Sequence, residues 1–335
     1  MTSIPAAHRT PPHAIRERAF HAWLARTLPA GRSGGLPLGD DAAVLRPPPG
    51  SVAVVTTDSL VEGTHFLRNS PPLDIGRAAT SVSLSDLAAK GATPAGLLVS
   101  LIVPAGTPQR WAEAVVRGSE AAAAKFGAHV IGGDTKAGGL RAVVSTAIGW
   151  GRERRLAPRS GARVGDVLVT TGSVGRGGLA YERSRRGPGD RRAALRALLD
   201  VRPRVREGVV LAPQVHAMLD TSDGLAEGCR LMAAASGVRT IVQDRALPID
   251  PALARENLSE RRRRSVAFFG GDYELLAAVP AERVDAAIRS VRTVGGRLTR
   301  IGEVARGHGA ILVVRAKERP MPRAGWDPFV RRRAP

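Results

Sequence analysis

Cysteine is almost absent from this sequence. Cys229 is the only one among 335 residues. One thiol cannot build a disulfide framework, and it cannot supply the several ligands of a cysteine zinc site. The sequence therefore excludes a disulfide-stapled secreted domain and favours a reducing compartment, so we expect a cytoplasmic protein.

Long apolar runs and aromatic side chains are scarce as well. The longest apolar run, Leu97 to Val103, is far shorter than the roughly 20 residues that span a bilayer. Residues 1–12 are polar and proline-rich and lack the apolar centre of a signal peptide. We therefore predict no membrane segment. Aromatic residues make up 4% of the chain, so the cores must be packed mainly with Ala, Val and Leu.

Acidic residues are outnumbered by basic ones, 30 to 50, and the formal net charge is +20. Such a charge favours contact with polyanions, but no recognition helix, RNA-binding motif or zinc-finger pattern accompanies it. The excess is nearly all arginine, in runs such as Arg183–Arg192 and Arg261–Arg264. We interpret these runs as solvated loops and faces and predict no specific nucleic-acid partner. For Arg183–Arg192, a surface loop is favoured over a lid above bound phosphates.

The length of the chain predicts two domains behind a short helical extension. We place the extension at residues 1–30, the N-terminal domain at 31–150 and the C-terminal domain at 151–335. Strands alternate with helices in both domains, so the predicted fold class is α+β with an α/β-like alternation. β-branched runs bounded by Gly or Pro predict the strands, which are Val52–Thr57, Leu97–Val103, His129–Gly132, Ala142–Trp150, Val167–Thr171, Ala217–Asp220, Thr240–Val242, Leu275–Val279 and Ala310–Val314.

Two helices of the N-terminal domain have capping signals. One is predicted to begin after Asp74 as its N-cap and to end at Gly91. The other is predicted to begin with Thr107 as N-cap and Pro108 at the first helical position.

Aspartate recurs beside Gly, Ser or Thr where predicted strands and turns end. A carboxylate at a strand end projects into the cleft beyond the sheet, and Mg²⁺ takes carboxylate oxygens together with water and substrate phosphates. Several such residues favour metal-assisted phosphoryl transfer, although each one alone is as readily a turn or a helix cap. The residues are Asp40, Asp41, Asp58, Asp86, Asp134, Asp220, Asp223 and Asp272.

Other motifs are excluded or left open. The chain has no G-x-x-x-x-G-K-[ST] loop, and Gly175–Ala180 only weakly resembles a dinucleotide-binding turn. Asp86 lies within a predicted helix among apolar neighbours, so it needs a partner, and a metal ion is one. His65 and Tyr273 lie near the acidic motifs in the sequence, and each is either a packing residue or part of the site.

The motifs, taken in order, resemble those of the thiamine-monophosphate kinase family. They extend over residues 14–330 and include TTDSLVEGTHF (Thr56–Phe66), SLSDLAAKGATP (Ser83–Pro94), IGGDTKAG (Ile131–Gly138) and LDTSDGLA (Leu219–Ala226). The resemblance implies the two-domain fold of aminoimidazole ribonucleotide synthetase and a homodimer whose N-terminal sheets pair across the interface. It also implies ATP-dependent phosphorylation of thiamine monophosphate to thiamine diphosphate, by direct in-line transfer with several Mg²⁺ ions.

The resemblance also implies site residues by position. The implied catalytic residues, which position the phosphates and neutralise their charge, are Asp58, Asp134 and Arg159. The implied magnesium ligands are Asp41, Thr56, Thr57, Asp58, Asp86, Asp134, Asp220 and Asp223. The implied ATP contacts are Gly133, Asp134, Arg159 and Ser222, and the implied substrate contacts are His65 and Trp326.

One motif departs from the family. Where the family usually reads G-G-E-D-Y-E-L, this chain reads GGDYELL at Gly270–Leu276. The acid before the aspartate is missing, and Asp272 is the candidate to replace it at the substrate. The departure keeps a rival function open, a nucleotide-binding protein without activity. Another enzyme of the superfamily is disfavoured, because the chain has no cysteine near either end.

Overall fold

The structure, a computed structural model, describes residues 13–29, 38, 40–186 and 188–325. Its N-terminal half contains seven elements: α1 (Glu17–Thr27), β1 (Val52–Val61), α2 (Pro72–Lys90), β2 (Thr93–Val103), α3 (Gln109–Ala124), β3 (Val130–Ala137) and β4 (Ala142–Gly151). The four strands form one sheet in the order β1-β4-β2-β3. β2 and β3 are parallel, and the other neighbours are antiparallel.

The two faces of this sheet differ. Helices α2 and α3 cover one face, and Val99, Leu101 and Val143 are buried there with the apolar side chains of both helices. The opposite face, which we call the open face, carries Val55 at 61% exposure and Ile102 at 39%. The alternation of side chains along each strand assigns every strand residue to one face or the other.

Helices α2 and α3 pack closely because each presents a glycine to the other. A β-carbon at Gly76 would lie 1.8 Å from the carbonyl oxygen of Val115, and one at Gly118 would lie 2.1 Å from that of Leu73. Any side chain at either position would force the helices apart. This contact fixes α2, which carries Asp86, against the first sheet.

The C-terminal half is built on a larger sheet. Its strands are β5 (Val167–Thr171), β6 (Ala217–Asp220), β7 (Arg239–Gln243), β8 (Leu275–Val279), β9 (Leu298–Ala305), β10 (Gly309–Val314) and β11 (Lys317–Pro320). The sheet has seven strands in the order β11-β10-β7-β9-β5-β8-β6. Its helices are α4 (Arg176–Ser184), α5 (Pro188–Leu199), α6 (Val205–Leu211), α7 (Leu225–Ser236), α8 (Pro251–Ala254), α9 (Glu260–Ala267) and α10 (Val284–Thr293).

Helix α2 belongs to both halves. Leu84, Leu87 and Ala88 pack in one buried cluster with Met218 and Leu275 of the second sheet. Earlier residues of the same helix pack into the core of the first sheet. α2 is buried over most of its surface, so its polar side chains can reach partners in both halves.

The predicted α+β class is confirmed, and a strand lies at each predicted strand segment. The predicted N-caps are wrong. α2 begins at Pro72 after Pro71, which leaves Asp74 inside the first turn. α3 begins at Gln109, and the Thr107 hydroxyl donates to the carbonyl oxygen of Pro104 instead of capping the helix. The predicted domain bounds stay a prediction.

The surface loop predicted at Arg183–Arg192 is also wrong. The segment contains the end of α4 and the beginning of α5. α5 forms because it buries Ala194 and Leu199, while the arginines at its start are exposed. In the described part of the chain, no helix combines the length and the hydropathy needed to cross a membrane.

Candidate active site

Four carboxylates meet at the junction of the two halves, and we call them the acid cluster. Asp58 comes from β1, Asp86 from α2, Asp220 from the end of β6 and Asp223 from the turn before α7. Burial first, and then the charges of Asp86, Asp220 and Asp223, raise the pKa of Asp58 to about 6. Such mutual effects require the carboxylates to be close neighbours. Distant segments of the chain therefore bring four predicted metal ligands into one site.

Asp58 has an unsatisfied oxygen. It lies on the covered face of the first sheet, directly opposite Ser145 of β4. Its Oδ2 atom is buried, and no described residue donates a hydrogen bond to it. Buried polar atoms are nearly always paired in folded proteins, so this oxygen is a ready ligand for a cation.

Hydroxyl groups hold the other carboxylates in place. Thr56 donates to Asp86 Oδ2 at 2.5 Å, and Ser85 donates to Asp220 Oδ2 at 2.7 Å. Ser222 donates to Asp220 Oδ1 at 3.1 Å. Burial, with a contribution from the charge of Asp86, raises the pKa of Asp220 to about 6 despite these bonds. Ser85 and Asp86 are adjacent on α2, yet they bond to different halves of the molecule.

The donor set of the acid cluster fits Mg²⁺ that is shared with phosphates. In the described residues, no group of three or more His, Cys, Asp or Glu side chains is arranged to hold a metal ion by itself. Mg²⁺ commonly takes one or two carboxylates and completes its shell with water and substrate phosphates. The orphaned Oδ2 of Asp58 and the neighbouring carboxylates supply that kind of partial shell.

Tyr273 lies beside the acid cluster in a strained backbone conformation. Its φ is 55°, and Gly270 and Gly271, which precede it by three and two residues, also have positive φ. Burial raises the pKa of the phenol, and the charges of Asp220 and Asp58 raise it further. Positive φ in a residue other than glycine is costly and is concentrated at functional sites. The structure therefore places Tyr273 at the site and also against the first core.

Two predicted ATP contacts lie at the acid cluster. Ser222 is bonded to Asp220, as described above. Arg159 is exposed, and its charge is close enough to Lys90 to lower the pKa of that ammonium group, after the larger effect of burial. The negative charges of Asp220 and Asp86 act in the opposite direction and raise the pKa of Lys90. Arg159 therefore lies at the rim of the cluster.

Asp134 is not part of the acid cluster. Asp58, Ser145, Val99 and Gly133 form one row across the first sheet, so Gly133 lies three strand spacings, roughly 14 Å, from Asp58. Asp134 is exposed, and its hydrogen bonds with Lys136 and the amide of Thr135 lower its pKa. One ion cannot touch Asp58 and Asp134 together as they are placed.

Gly133 has room for no side chain. Its φ is 156°, and a β-carbon would lie 1.9 Å from the carbonyl oxygen of Val99. A glycine is therefore required here for packing against β2, whether or not a nucleotide binds beside it.

Three other predicted residues make local contacts, with no recorded hydrogen bond to the acid cluster. Asp41 is exposed, and its amide donates to Asp40 Oδ1 at 2.7 Å. Thr57 lies on the open face, where its hydroxyl is 3.0 Å from that of Thr146. His65 follows β1, and its Nδ1 accepts from the amide of Val61 at 3.1 Å. Burial lowers the pKa of His65, which favours the neutral ring. Their ligand and substrate roles stay predictions.

Asp272 has a structural task in this fold. It is 3% exposed, and its carboxylate accepts from the amides of Gly175 and Gly177 at 2.7 and 2.8 Å. Both oxygens therefore satisfy the N-terminal backbone of α4. The structure does not bring Asp272 to the acid cluster, and its predicted substrate contact stays a prediction. Trp326 lies outside the described residues.

Lys90, the last residue of α2, lies at the site although no sequence motif predicted it there. Its ammonium donates to the carbonyl oxygens of Ala157 and Met218 at 3.1 and 3.2 Å. One signal was available, since Lys90 follows Asp86 by four residues and therefore shares its side of the helix.

Both halves of the chain are similar to known proteins. Residues 39–150 match the family described as AIR synthase related protein, N-terminal domain, and residues 163–315 match its C-terminal domain. The chain is similar to a thiamine-monophosphate kinase of Caulobacter vibrioides, with 33% identity over 91% of this chain and 88% of that one. The two family matches together include every member of the acid cluster.

Solved structures show the same similarity. Thiamine-monophosphate kinase from Stenotrophomonas maltophilia superposes with a TM-score of 0.75 at 36% identity, over 83% of this chain and 90% of that one. AaThiL complexed with AMPPCP and TMP superposes with a TM-score of 0.70 at 28% identity, over 86% and 90%. The two-domain fold expected from the sequence is thereby confirmed.

Proposed function

Because the chain belongs to the thiamine-monophosphate kinase family, we propose that it transfers the γ-phosphoryl group of ATP to thiamine monophosphate, with several Mg²⁺ ions. The observation that carries the proposal is the acid cluster, with its buried, unpartnered Asp58 oxygen. The solved relative in complex with AMPPCP and TMP supports the same pair of ligands.

In the proposed reaction, an oxygen of the acceptor phosphate attacks the γ-phosphorus of ATP. The bond from that phosphorus to the bridging oxygen breaks, and ADP leaves with the electron pair. The second pKa of a phosphate monoester is about 6, so the acceptor is already ionised at neutral pH and needs no strong general base. The chain's contribution is positioning and charge neutralisation.

Each residue of the site has a proposed task. The acid cluster holds the cations, which neutralise phosphate charge when bound. Ser222 and Arg159 contact the nucleotide, and Arg159 offsets charge that develops on the phosphates. Asp134 follows Gly133, which lies roughly 14 Å from Asp58 by strand spacing, so we assign Asp134 to a separate ion. At least two ion positions follow from this separation.

The open face of the first sheet supports the proposed homodimer. Val55 and Ile102 are among the large apolar side chains with the greatest exposure in the described residues, and both lie on this face. A flat sheet face with exposed β-branched side chains is typical of an interface. We propose that two copies pair through it.

The proposal is tested by incubating the purified protein with ATP, MgCl₂ and thiamine monophosphate and measuring thiamine diphosphate and ADP. Equimolar formation of both products is expected. Asp58→Asn should abolish turnover, whereas Asp285→Asn, at an exposed site on α10, should leave it unchanged. Binding of ATP without turnover would instead support the rival, a nucleotide-binding protein without activity.

A further inference from the structure

We propose that Lys90 is a positioning residue that keeps Arg159 at a fixed position beside the acid cluster. The inference rests on the proposed function, because it concerns how the nucleotide is received. Its direct basis is the pair of hydrogen bonds from one ammonium group to Ala157 and Met218, at 3.1 and 3.2 Å. Those two carbonyls belong to different segments of the chain.

Each segment that Lys90 touches carries a site residue a short distance away. Ala157 precedes Arg159 by two residues, and Met218 precedes Asp220 by two residues. Lys90 itself follows Asp86 by four residues, about one helical turn. One side chain therefore connects the three segments that supply Asp86, Arg159 and Asp220.

Backbone bonds support the same junction. The amide of Ala157 donates to the carbonyl oxygen of Lys90 at 3.2 Å, and the amide of Met218 donates to that of Pro158 at 2.8 Å. The first bond joins the end of α2 to the segment that contains Ala157, and the second joins that segment to β6. The ammonium group contacts both segments from the end of α2, so its removal leaves two carbonyl oxygens without this donor.

The charge of Lys90 has a second effect. The charges of Arg159, Asp220 and Asp86 all act on the ammonium group. Its positive charge repels the guanidinium and offsets the carboxylates. Without Lys90 this repulsion is lost, and Arg159 could pair with the acid cluster instead of with an incoming phosphate.

A double-mutant cycle tests the inference. Lys90→Met, Arg159→Ala and the double variant are compared by their kcat and KM for each substrate. Lys90→Met should lower kcat/KM for ATP about tenfold or more, with the KM for thiamine monophosphate nearly unchanged. In the Arg159→Ala background, Lys90→Met should have little further effect. Additive losses, or equal losses for both substrates, would overturn the proposal.

Lys125→Met is the matched control, because Lys125 also ends a helix but is exposed. It should leave both KM values unchanged. If Lys90→Met does not fold, Lys90→Gln, which keeps one amide donor, takes its place in the cycle. If the unmodified protein shows no turnover, the proposed function is refuted. The same double-mutant cycle is then carried out by measuring the Kd of a non-hydrolysable ATP analogue with Mg²⁺. Loss of affinity that does not depend on Arg159 would then refute the role of Lys90.

Discussion

The charge of Asp58 should reduce the stability of the fold while serving the reaction. Its pKa is raised from an ordinary 3.8 to about 6, with burial as the largest cause. At about 1.4 kcal/mol per unit, the ionised carboxylate costs the folded state about 3 kcal/mol at neutral pH. Asp58→Asn removes the charge but also changes the local hydrogen bonds, so we expect a net gain of about 1–2 kcal/mol.

The stability gain of Asp58→Asn should be larger at high pH than at low pH. Above pH 6 the carboxylate is ionised in both the folded and the unfolded state, and the folded state carries the full cost. Below about pH 4 it is protonated in both states, and the cost disappears. The stability difference between Asp58→Asn and the unmodified protein should therefore be largest above pH 6 and shrink between pH 6 and pH 4.

Calorimetric unfolding with EDTA at pH 7.5 and pH 4 measures this difference, and a rise of a few degrees is expected at pH 7.5. Mg²⁺ should raise the unfolding temperature of the unmodified protein more than that of the variant, because a ligand stabilises the state that binds it. Asp285→Asn, whose charge is exposed, should show neither effect. A variant that unfolds earlier than the unmodified protein at pH 7.5 without Mg²⁺ would refute the reasoning.

Three further substitutions test other parts of the structure. Asp272→Ala should lower the free energy of unfolding by about 2–4 kcal/mol, because two buried amides lose their acceptor; denaturant titration that shows no loss would contradict the capping role. Gly133→Ala should destabilise the first sheet, because its β-carbon would lie 1.9 Å from the Val99 carbonyl oxygen; an unchanged melting temperature would contradict this. Val55→Arg should convert a dimer into a monomer by light scattering, while Val164→Arg, at a site of similar exposure, should not. A dimer that persists after Val55→Arg would show that the open face is not the interface.

The sequence predicted the strands well where burial decided the pattern. β5, β6 and β8 are short apolar runs that are buried along their length, and such runs have a clear signal. β9 was missed because only Leu298, Ile301 and Val304 are buried, with polar residues and a glycine between them. The four residues of β11 are all exposed, so no apolar pattern could predict that strand.

Cap prediction failed for a local reason. Asp74 is a good N-cap residue, but Pro71 and Pro72 precede it, and proline at the first helical position is preorganised for the helix. The helix therefore begins one turn earlier than the aspartate signal indicates. In α3 as well, the proline prevails over the neighbouring cap residue, because Pro108 and not Thr107 is at the N-cap.

The candidate site was only partly predictable. Asp58 and Asp134 each follow an apolar run and are flanked by Gly, Ser or Thr, so both were predicted as metal ligands and catalytic residues. The structure separates them because Asp58 lies on the covered face of β1 and Asp134 lies on β3, at the far edge of the sheet. Strand order and register arise from contacts between distant segments, and no local motif contains them.

Helix α2 shows what a sequence pattern does predict. Ser83, Asp86 and Lys90 lie within a narrow sector of α2, since their spacings of three and four residues bring them to one side. Buried polar groups need partners, so this sector predicts contacts with something polar. The identity of the partners, Ser145 for Ser83 and Ala157 with Met218 for Lys90, depends on how the two sheets enclose the helix. A variant that exchanges Asp86 for Leu should therefore leave the Thr56 hydroxyl without its acceptor and lose turnover, even though leucine suits the apolar surroundings of α2.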